Sequence, residues 1–210
     1  MEFTELMKKR RAVNFFDTEK AVDKETLREV IETAALTPSG FNFQPWGLVV
    51  VSSQEEKAKL RELAWNQPKV SDAPAILVVL GDKTSWREGH KDFERAWKDM
   101  VEKGLMTEKA RGMVAGGSEK LHQGTERSLA FAVKNAGMFA MALMLAAKDA
   151  GLDTHPMEGF DHAGVLGYLG LDPERYFIPM LIAVGHFDKE KELGPAKYRK
   201  SYDELVLEER

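Results

Sequence analysis

Four short segments of the sequence carry side chains that could do chemistry. The first is Arg10-Arg11-Ala12-Val13-Asn14. Two adjacent guanidinium groups at the end of a short N-terminal helix offer planar, fork-shaped donors suited to a phosphate, although basic pairs more often only coat a solvated surface. The second is Pro38-Ser39-Gly40-Phe41-Asn42-Phe43-Gln44-Pro45-Trp46, where a hydroxyl and the amides of Asn42 and Gln44 fall along one edge of an extended loop. Such a set can hydrogen-bond a flat heterocycle or a polyol; it can equally satisfy its own backbone. The third is Pro156-Met157-Glu158-Gly159-Phe160-Asp161. Glycine in a turn lets the backbone approach a planar ring closely, and its N–H can donate to a ring nitrogen, but a plain turn between helix and strand would read the same. The fourth is Lys197-Tyr198-Arg199-Lys200. Cations two apart on an extended chain point the same way, as phosphate ligands must and as the charges of a solvated tail also do.

Composition removes other chemistries. The 210 residues include no cysteine, which excludes disulfides, thiolate metal sites, iron–sulfur clusters and a cysteine nucleophile. His155, His162 and His186 lack ligand spacing, so no metal is expected; His155 and His186 are expected to be hydrogen-bonded structural residues flanking strands. Asp161 and His162 are sequence neighbours that point apart and cannot form a relay. The methionines sit mostly at helical spacing and read as core. Gly116-Gly117 lacks the strand and helix of a phosphate-cradling loop and is expected to be a flexible surface break. Thirty basic against 34 acidic residues give a net charge of −4, with no basic face for nucleic acid. The acidic N-terminus has no apolar signal core, and the apolar run Ala136–Ala147 is shorter than the ~18 residues of a membrane span. A cytoplasmic protein without membrane or nucleic-acid partners is expected.

These segments must be held by a scaffold. Residues 23–36 read as an amphipathic helix: Asp23 caps it, Leu27, Val30, Ile31, Ala34 and Ala35 share one face, and Pro38 ends it. Leu48–Val51, Ala75–Leu80 and Met180–Val184 read as buried strands. Ser53 and Glu56 form a capping box that opens another helix. Thr125–Ala150 reads as a long helix stopped by Gly151, with Lys148 in its last turn. Its second half is apolar on every side and so must be covered on every side; a second subunit is the expected cover, an ordinary central core helix the alternative. Residues 83–123 are charged but carry Trp86, Phe93 and Trp97, and read as a helical excursion. The sum is a single α+β domain over 1–210, with strands and helices in packed layers.

In order and spacing the four segments resemble one family over nearly the full chain, the FMN-dependent nitroreductases. The basic segment appears as Arg10-Arg11-Ala12, the Pro-Ser-x-x-Asn-x-Gln-Pro-Trp loop from Pro38 to Trp46, an Asn-x-x-Lys pair as Asn66 and Lys69, the Pro-x-Glu-Gly-Phe-Asp turn at Pro156–Asp161, and a Lys-x-Arg pair as Lys197 and Arg199. The resemblance implies a mixed, mainly antiparallel sheet flanked by helices, a homodimer built on the long helix, and FMN at the dimer interface. It implies phosphate ligands at Arg10, Lys197 and Arg199, with Arg11 contributing through backbone or charge. Contacts to ribityl chain or ring edge fall to Ser39 and Asn42 within Pro38, Gly40 and Gln44. Asn66 and Lys69 would face the isoalloxazine and the incoming nicotinamide. Glu158 and Gly159 would lie beside flavin N5, with Pro156 and Met157 also among the cofactor-binding residues. The implied reaction is hydride transfer from NADH or NADPH through N5 to a nitroaromatic, quinone, enone or similar flat acceptor, in a ping-pong cycle without a side-chain acid or base. Two departures stand out: the family's usual serine is Ala12, and a position often held by Lys or Arg is Asn14. Rival readings are a reductive dehalogenase or flavin destructase on the same fold, for which 83–123 shows no cationic–aromatic clamp, and a non-catalytic flavin or nucleotide sensor.

Overall fold

The computed structural model describes residues 2–210. The three apolar runs pair as strands β1 (Trp46–Val51), β2 (Ala75–Asp82) and β4 (Tyr176–Gly185), and β3 (Asp153–Met157) joins them. The order is β1-β2-β4-β3, and every ladder is antiparallel; Val49 faces Val78, Leu77 faces Ile182, and Thr154 faces Val184. The parallel component of the expected mixed sheet is an isolated bridge between Ala12 and Thr154. β3 corrects the sequence reading, which took Pro156 and Met157 as the start of a turn. Its polar residues and proline hide it, and its place at the sheet edge explains why they are tolerated there.

Alternation along β2 sends side chains to two cores. Ile76, Val78 and Leu80 join Leu60, Val70, Leu166 and Leu181 under α3 (Gln54–Leu63), α4 (Pro68–Asp72) and α8 (His162–Tyr168). Leu77 and Val79 join Val30, Phe139, Leu143 and Ile182 under α2 (Lys24–Ala34) and α7 (Thr125–Asp149). Each of these apolar side chains contributes about 1.5–3 kcal/mol by leaving water, and the period of two fixes the register of all four strands.

The Asp23 carboxylate accepts from the N–H groups of Glu25 and Thr26 at 2.9 and 3.1 Å, capping α2 as expected. The helix stops at Ala34, ahead of Pro38, because Leu36 and Thr37 close a tighter turn onto Thr33 and Ala34. Ser53 caps α3 through the Glu56 N–H at 3.2 Å, but the Glu56 carboxylate turns to the Tyr168 hydroxyl instead of returning to Ser53, so only half of the box forms. α7 ends where Gly151 takes a left-handed φ of 80°, which glycine adopts without cost.

α7 is long and apolar enough to cross a membrane, yet Ala132, Ala136, Phe139, Ala140 and Leu143 lie in the protein core. Cover within one chain is not complete all round: Met138 is 40% exposed, and Met141, Ala142, Leu145 and Ala146 are half-buried. The excursion forms α5 (Lys91–Glu102) and α6 (Arg111–His122). Gly116 and Gly117 lie inside α6, not in a surface break, since the flanking residues keep its hydrogen bonds running. Phe93, Trp86 and Trp97 close a third core with Phe43, Val114 and Phe131. The N-terminus forms α1 (Phe3–Lys9), and the exposed C-terminal arm carries the short α9 (Tyr202–Leu205).

Candidate active site

Arg10 caps the C-terminal end of α1. Its Nε is buried and has no hydrogen-bond partner, and burial, then Arg199 and Arg11, push its pKa below the ordinary arginine value. Lys69 and Lys197 stand close enough to His155 to depress its pKa, after the larger effect of burial. The backbone joins these groups: Val13 N–H donates to Thr154 O at 3.1 Å, and His155 Nδ1 lies 2.8 Å from Val13 O. His155 is therefore hydrogen-bonded as expected, but from within β3. Arg11 donates to the carbonyl oxygens of Gly194 and Pro195, pinning the arm that carries Lys197 and Arg199. Like charges gathered without a counter-anion cost free energy. This arrangement suits a phosphate, whose oxygens would satisfy the orphaned donor.

Asn66 lies on the loop into α4 and Lys69 in the first turn of that helix. Trp65 and Asn66 hold left-handed φ values of 54° and 58°, and Asn66 is tied at both backbone ends to Arg61. Lys69 is half-buried, and that burial lowers its pKa. Between them Gln67 donates from Nε2 to Gly159 O at 2.7 Å and to Ala64 O at 3.2 Å, while its Oε1 accepts from Lys69 Nζ at 3.2 Å. A Cβ on Gly159 would sit 3.0 and 3.1 Å from ring carbons of Trp65, so only glycine fits there without displacement. Glu158 is exposed. His162 stacks between Phe160 and Phe177, with Nδ1 buried and unpartnered.

The loop Pro38–Trp46 is seated on α7. Gly40 N–H donates to Asn135 Oδ1 at 3.2 Å, and the fully buried Asn135 donates in turn to Phe131 O at 2.7 Å. Ser39 Oγ accepts from Gln44 N–H at 2.9 Å, Trp46 stacks on Phe139 with centroids 5.1 Å apart, and Phe41, Phe43 and Phe93 form a continuous stack. Phe41, Asn42 and Gln44 all hold left-handed backbone, strain that the surrounding packing must sustain. Asn42 is exposed. Among the described residues no hydrogen bond or ring contact joins this loop to Arg10, Lys69 or Glu158. One chain assembles three of the four segments and leaves the Pro38–Trp46 loop apart.

The excursion does hold cations over aromatics, contrary to the sequence reading: Arg111 lies 5.6 Å from the Phe93 centroid and 5.9 Å from that of Trp97. Its N–H groups are spent on Glu88 and Glu94, which closes this grouping on itself. His90, which spacing did not single out, comes within cation-binding reach of Asp82 and Asp92. Arg175 already donates twice to Asp82 Oδ2, at 2.9 and 2.8 Å. Burial opposes ionisation of Asp82, but hydrogen bonds from Thr84 and Arg175 prevail and hold its pKa below the usual range.

Residues 7–186 match the nitroreductase family. The chain belongs to the nitroreductase family. It is accordingly an oxidoreductase with a nitroreductase-type fold. YdgI of Bacillus subtilis, grouped by its name with the NAD(P)H nitroreductases, is 33% identical to this family member over 98% of the chain and 96% of its own length. The CLA biosynthesis enone reductase of Lactiplantibacillus plantarum is 32% identical over 90% of this chain and 87% of its own. A protein of Exiguobacterium sibiricum, solved in complex with FMN, is 29% identical and superposes with a TM-score of 0.84 over 98% of this chain and 96% of that one. Within this candidate site of the nitroreductase-family chain, Trp65 and Gln67 are the residues that spacing did not reveal, because the Asn-x-x-Lys pattern leaves its middle and flanking positions unspecified.

Proposed function

We propose that the protein is an FMN-dependent homodimeric oxidoreductase that takes reducing equivalents from NADH or NADPH and passes them to a flat conjugated acceptor such as a nitroaromatic, quinone or enone. The observation that carries this reading is the buried, partnerless Arg10 Nε inside an uncompensated set of cations. Arg10, Lys197 and Arg199 would hold the FMN phosphate, and Arg11 would act by fixing the arm. Ala12 and Asn14, both exposed, supply neither the hydroxyl nor the extra cation common at those positions, so the phosphate rests on these other groups.

When bound, FMN supplies a two-electron carrier between nicotinamide and acceptor. Lys69 has spent one N–H on Gln67 and keeps two for negative charge gathering on the ring edge, and its partial burial strengthens that interaction. The Glu158–Gly159 turn would lie along the ring, and the missing Cβ of Gly159 makes room for the Trp65 side chain that packs against it. Pro156 and Met157 anchor that turn in β3.

Pro38, Ser39, Gly40, Asn42 and Gln44 complete the site from the second subunit, since a single chain holds this loop apart. The uncovered face of α7, together with exposed Phe3 and Met7 on α1 and Tyr198, Tyr202, Leu205 and Leu207 on the arm, supplies apolar surface for an obligate interface above ~2,000 Å². The test is direct. Purified protein should be yellow, release FMN and not FAD on denaturation, and bleach anaerobically with NADH or NADPH. A bound flavin that neither donor reduces would defeat the catalytic reading in favour of a sensor.

A further inference from the structure

We propose that Gln67 is a positioning residue that relays the charge of Lys69 to the Gly159 N–H through a continuous chain of amide dipoles. The relay's role in catalysis rests on the reading that Glu158–Gly159 faces the flavin; its existence does not.

The chain can be followed atom by atom. Lys69 Nζ donates to Gln67 Oε1 at 3.2 Å, and Gln67 Nε2 donates to Gly159 O at 2.7 Å. The peptide that owns this oxygen ends in the Phe160 N–H, which donates to Glu158 O at 3.1 Å. The peptide that owns that oxygen ends in the Gly159 N–H, which has no acceptor among the described residues. Each amide therefore accepts at oxygen and donates at nitrogen in the same sense, starting at a cation and ending at an open donor. Amides aligned in this way polarise one another, by roughly 10–30% per bond, so the last N–H is a stronger donor than an isolated one.

The geometry leaves little freedom. The second Nε2 hydrogen of Gln67 goes to Ala64 O at 3.2 Å, so two carbonyls fix the amide and turn its oxygen toward Lys69. The Trp65 ring packs where a Gly159 side chain would be, and the left-handed backbone at Trp65 and Asn66 brings residues 65 and 67 to grip one peptide from two sides. Such strain persists where surrounding structure imposes it. Glutamine suits this position because it both accepts and donates. Glutamate would accept from Lys69 but lose the donor to Gly159 O, and leucine would lose both.

The test is a double-mutant cycle read at the Gly159 amide. Amide proton shifts would be compared in the ¹⁵N-labelled apoprotein, Lys69→Met, Gln67→Leu and the double variant, with Gln67→Glu as a second break should Gln67→Leu fold poorly. Lys69→Met should move the Gly159 proton upfield when Gln67 is present and leave it nearly unmoved when Gln67 is replaced. Equal movement in both backgrounds would mean the charge acts through space, and the relay would be wrong. In FMN-loaded protein, Gln67→Leu should slow single-turnover flavin reduction about tenfold alone but little beyond Lys69→Met; an equal cost in both backgrounds would remove the relay's catalytic role. A protein that took no FMN would overturn the site reading, while the apoprotein shifts would still decide the relay.

Discussion

The Arg11 guanidinium reaches the carbonyl oxygens of Gly194 and Pro195 at 2.8 and 2.9 Å, closing a loop of 183 residues between the end of α1 and the start of the C-terminal arm. That closure sets Arg199 beside Arg10 and Lys197 beside His155. The basic dipeptide thus divides into one ligand candidate, Arg10, and one pin, Arg11, whose charge is spent on the arm.

Arg11→Met should therefore loosen the arm while sparing the rest of the site. The expected loss is about tenfold in FMN affinity, ~1.4 kcal/mol, measured by fluorescence as FMN is titrated into apoprotein. Unchanged affinity would show that the arm finds its place without the pin.

Arg10→Met separates function from stability. The side chain is a partly buried cation among cations, so its loss should leave apoprotein melting unchanged or raised, while FMN affinity falls about 100-fold, ~2.7 kcal/mol. A calorimetric midpoint lowered together with only a slight loss of affinity would mean that Arg10 serves the fold and not the phosphate.

Much of the scaffold could be read before the structure, and the failures have physical causes. α2 and α7 were legible because caps and periodicity are local: Asp23 at one end, Gly151 at the other, and Leu27, Val30, Ile31 and Ala34 on one face. β2 was legible as an unbroken apolar run because both its faces are buried. β3 was not, since Thr154 is the lone β-branched residue among Asp153, His155 and Pro156, and the segment gains its place by pairing with β4. The glycines at 116 and 117 mislead because propensity is a weak prior against tertiary packing. In the candidate site, residue types pointed to candidate ligands, but partners separated by long stretches of chain, such as Arg11 with Gly194 and Gln67 with Gly159, leave no trace in spacing.

Acid should weaken the fold through its half-buried histidines. Burial first, then Lys69 and Lys197, hold His155 below its ordinary pKa of 6.5; burial first also lowers His122 and His186. A depressed folded pKa means that the unfolded chain binds more protons. The stability at stake is complete above about pH 6.5 and declines as pH falls through the folded values. Urea midpoints at pH 7.5, 6.5 and 5.5 should show this decline, and His155→Gln should flatten part of it. Saturating FMN should also flatten it, because a phosphate held by Lys197 offsets that cation's field at His155. A slope indifferent to both changes would remove His155 from this account.

Catalysis should depend on a cation and not on an acid or base. Hydride transfer between nicotinamide and flavin moves no separate proton, so the protein's part is to place the rings and stabilise the charge that develops. Lys69 is built for this: it is half-buried, has N–H groups to spare, and is oriented by Gln67. Glu158 is exposed, and its side chain makes no hydrogen bond or ion pair among the described residues; its backbone oxygen does the structural work by accepting Phe160 N–H. In single-turnover anaerobic reduction of FMN-saturated protein, Lys69→Ala should cost about 10²-fold or more, the scale of a lost donor to developing charge. Glu158→Gln should stay well inside the ~10²–10⁴-fold expected for a removed general acid or base, as should His155→Gln and His162→Gln. If one of those three variants bound FMN and nicotinamide normally yet lost reduction altogether, a proton transfer would have to be written into the reaction, and the arrangement around Lys69 would not be its centre.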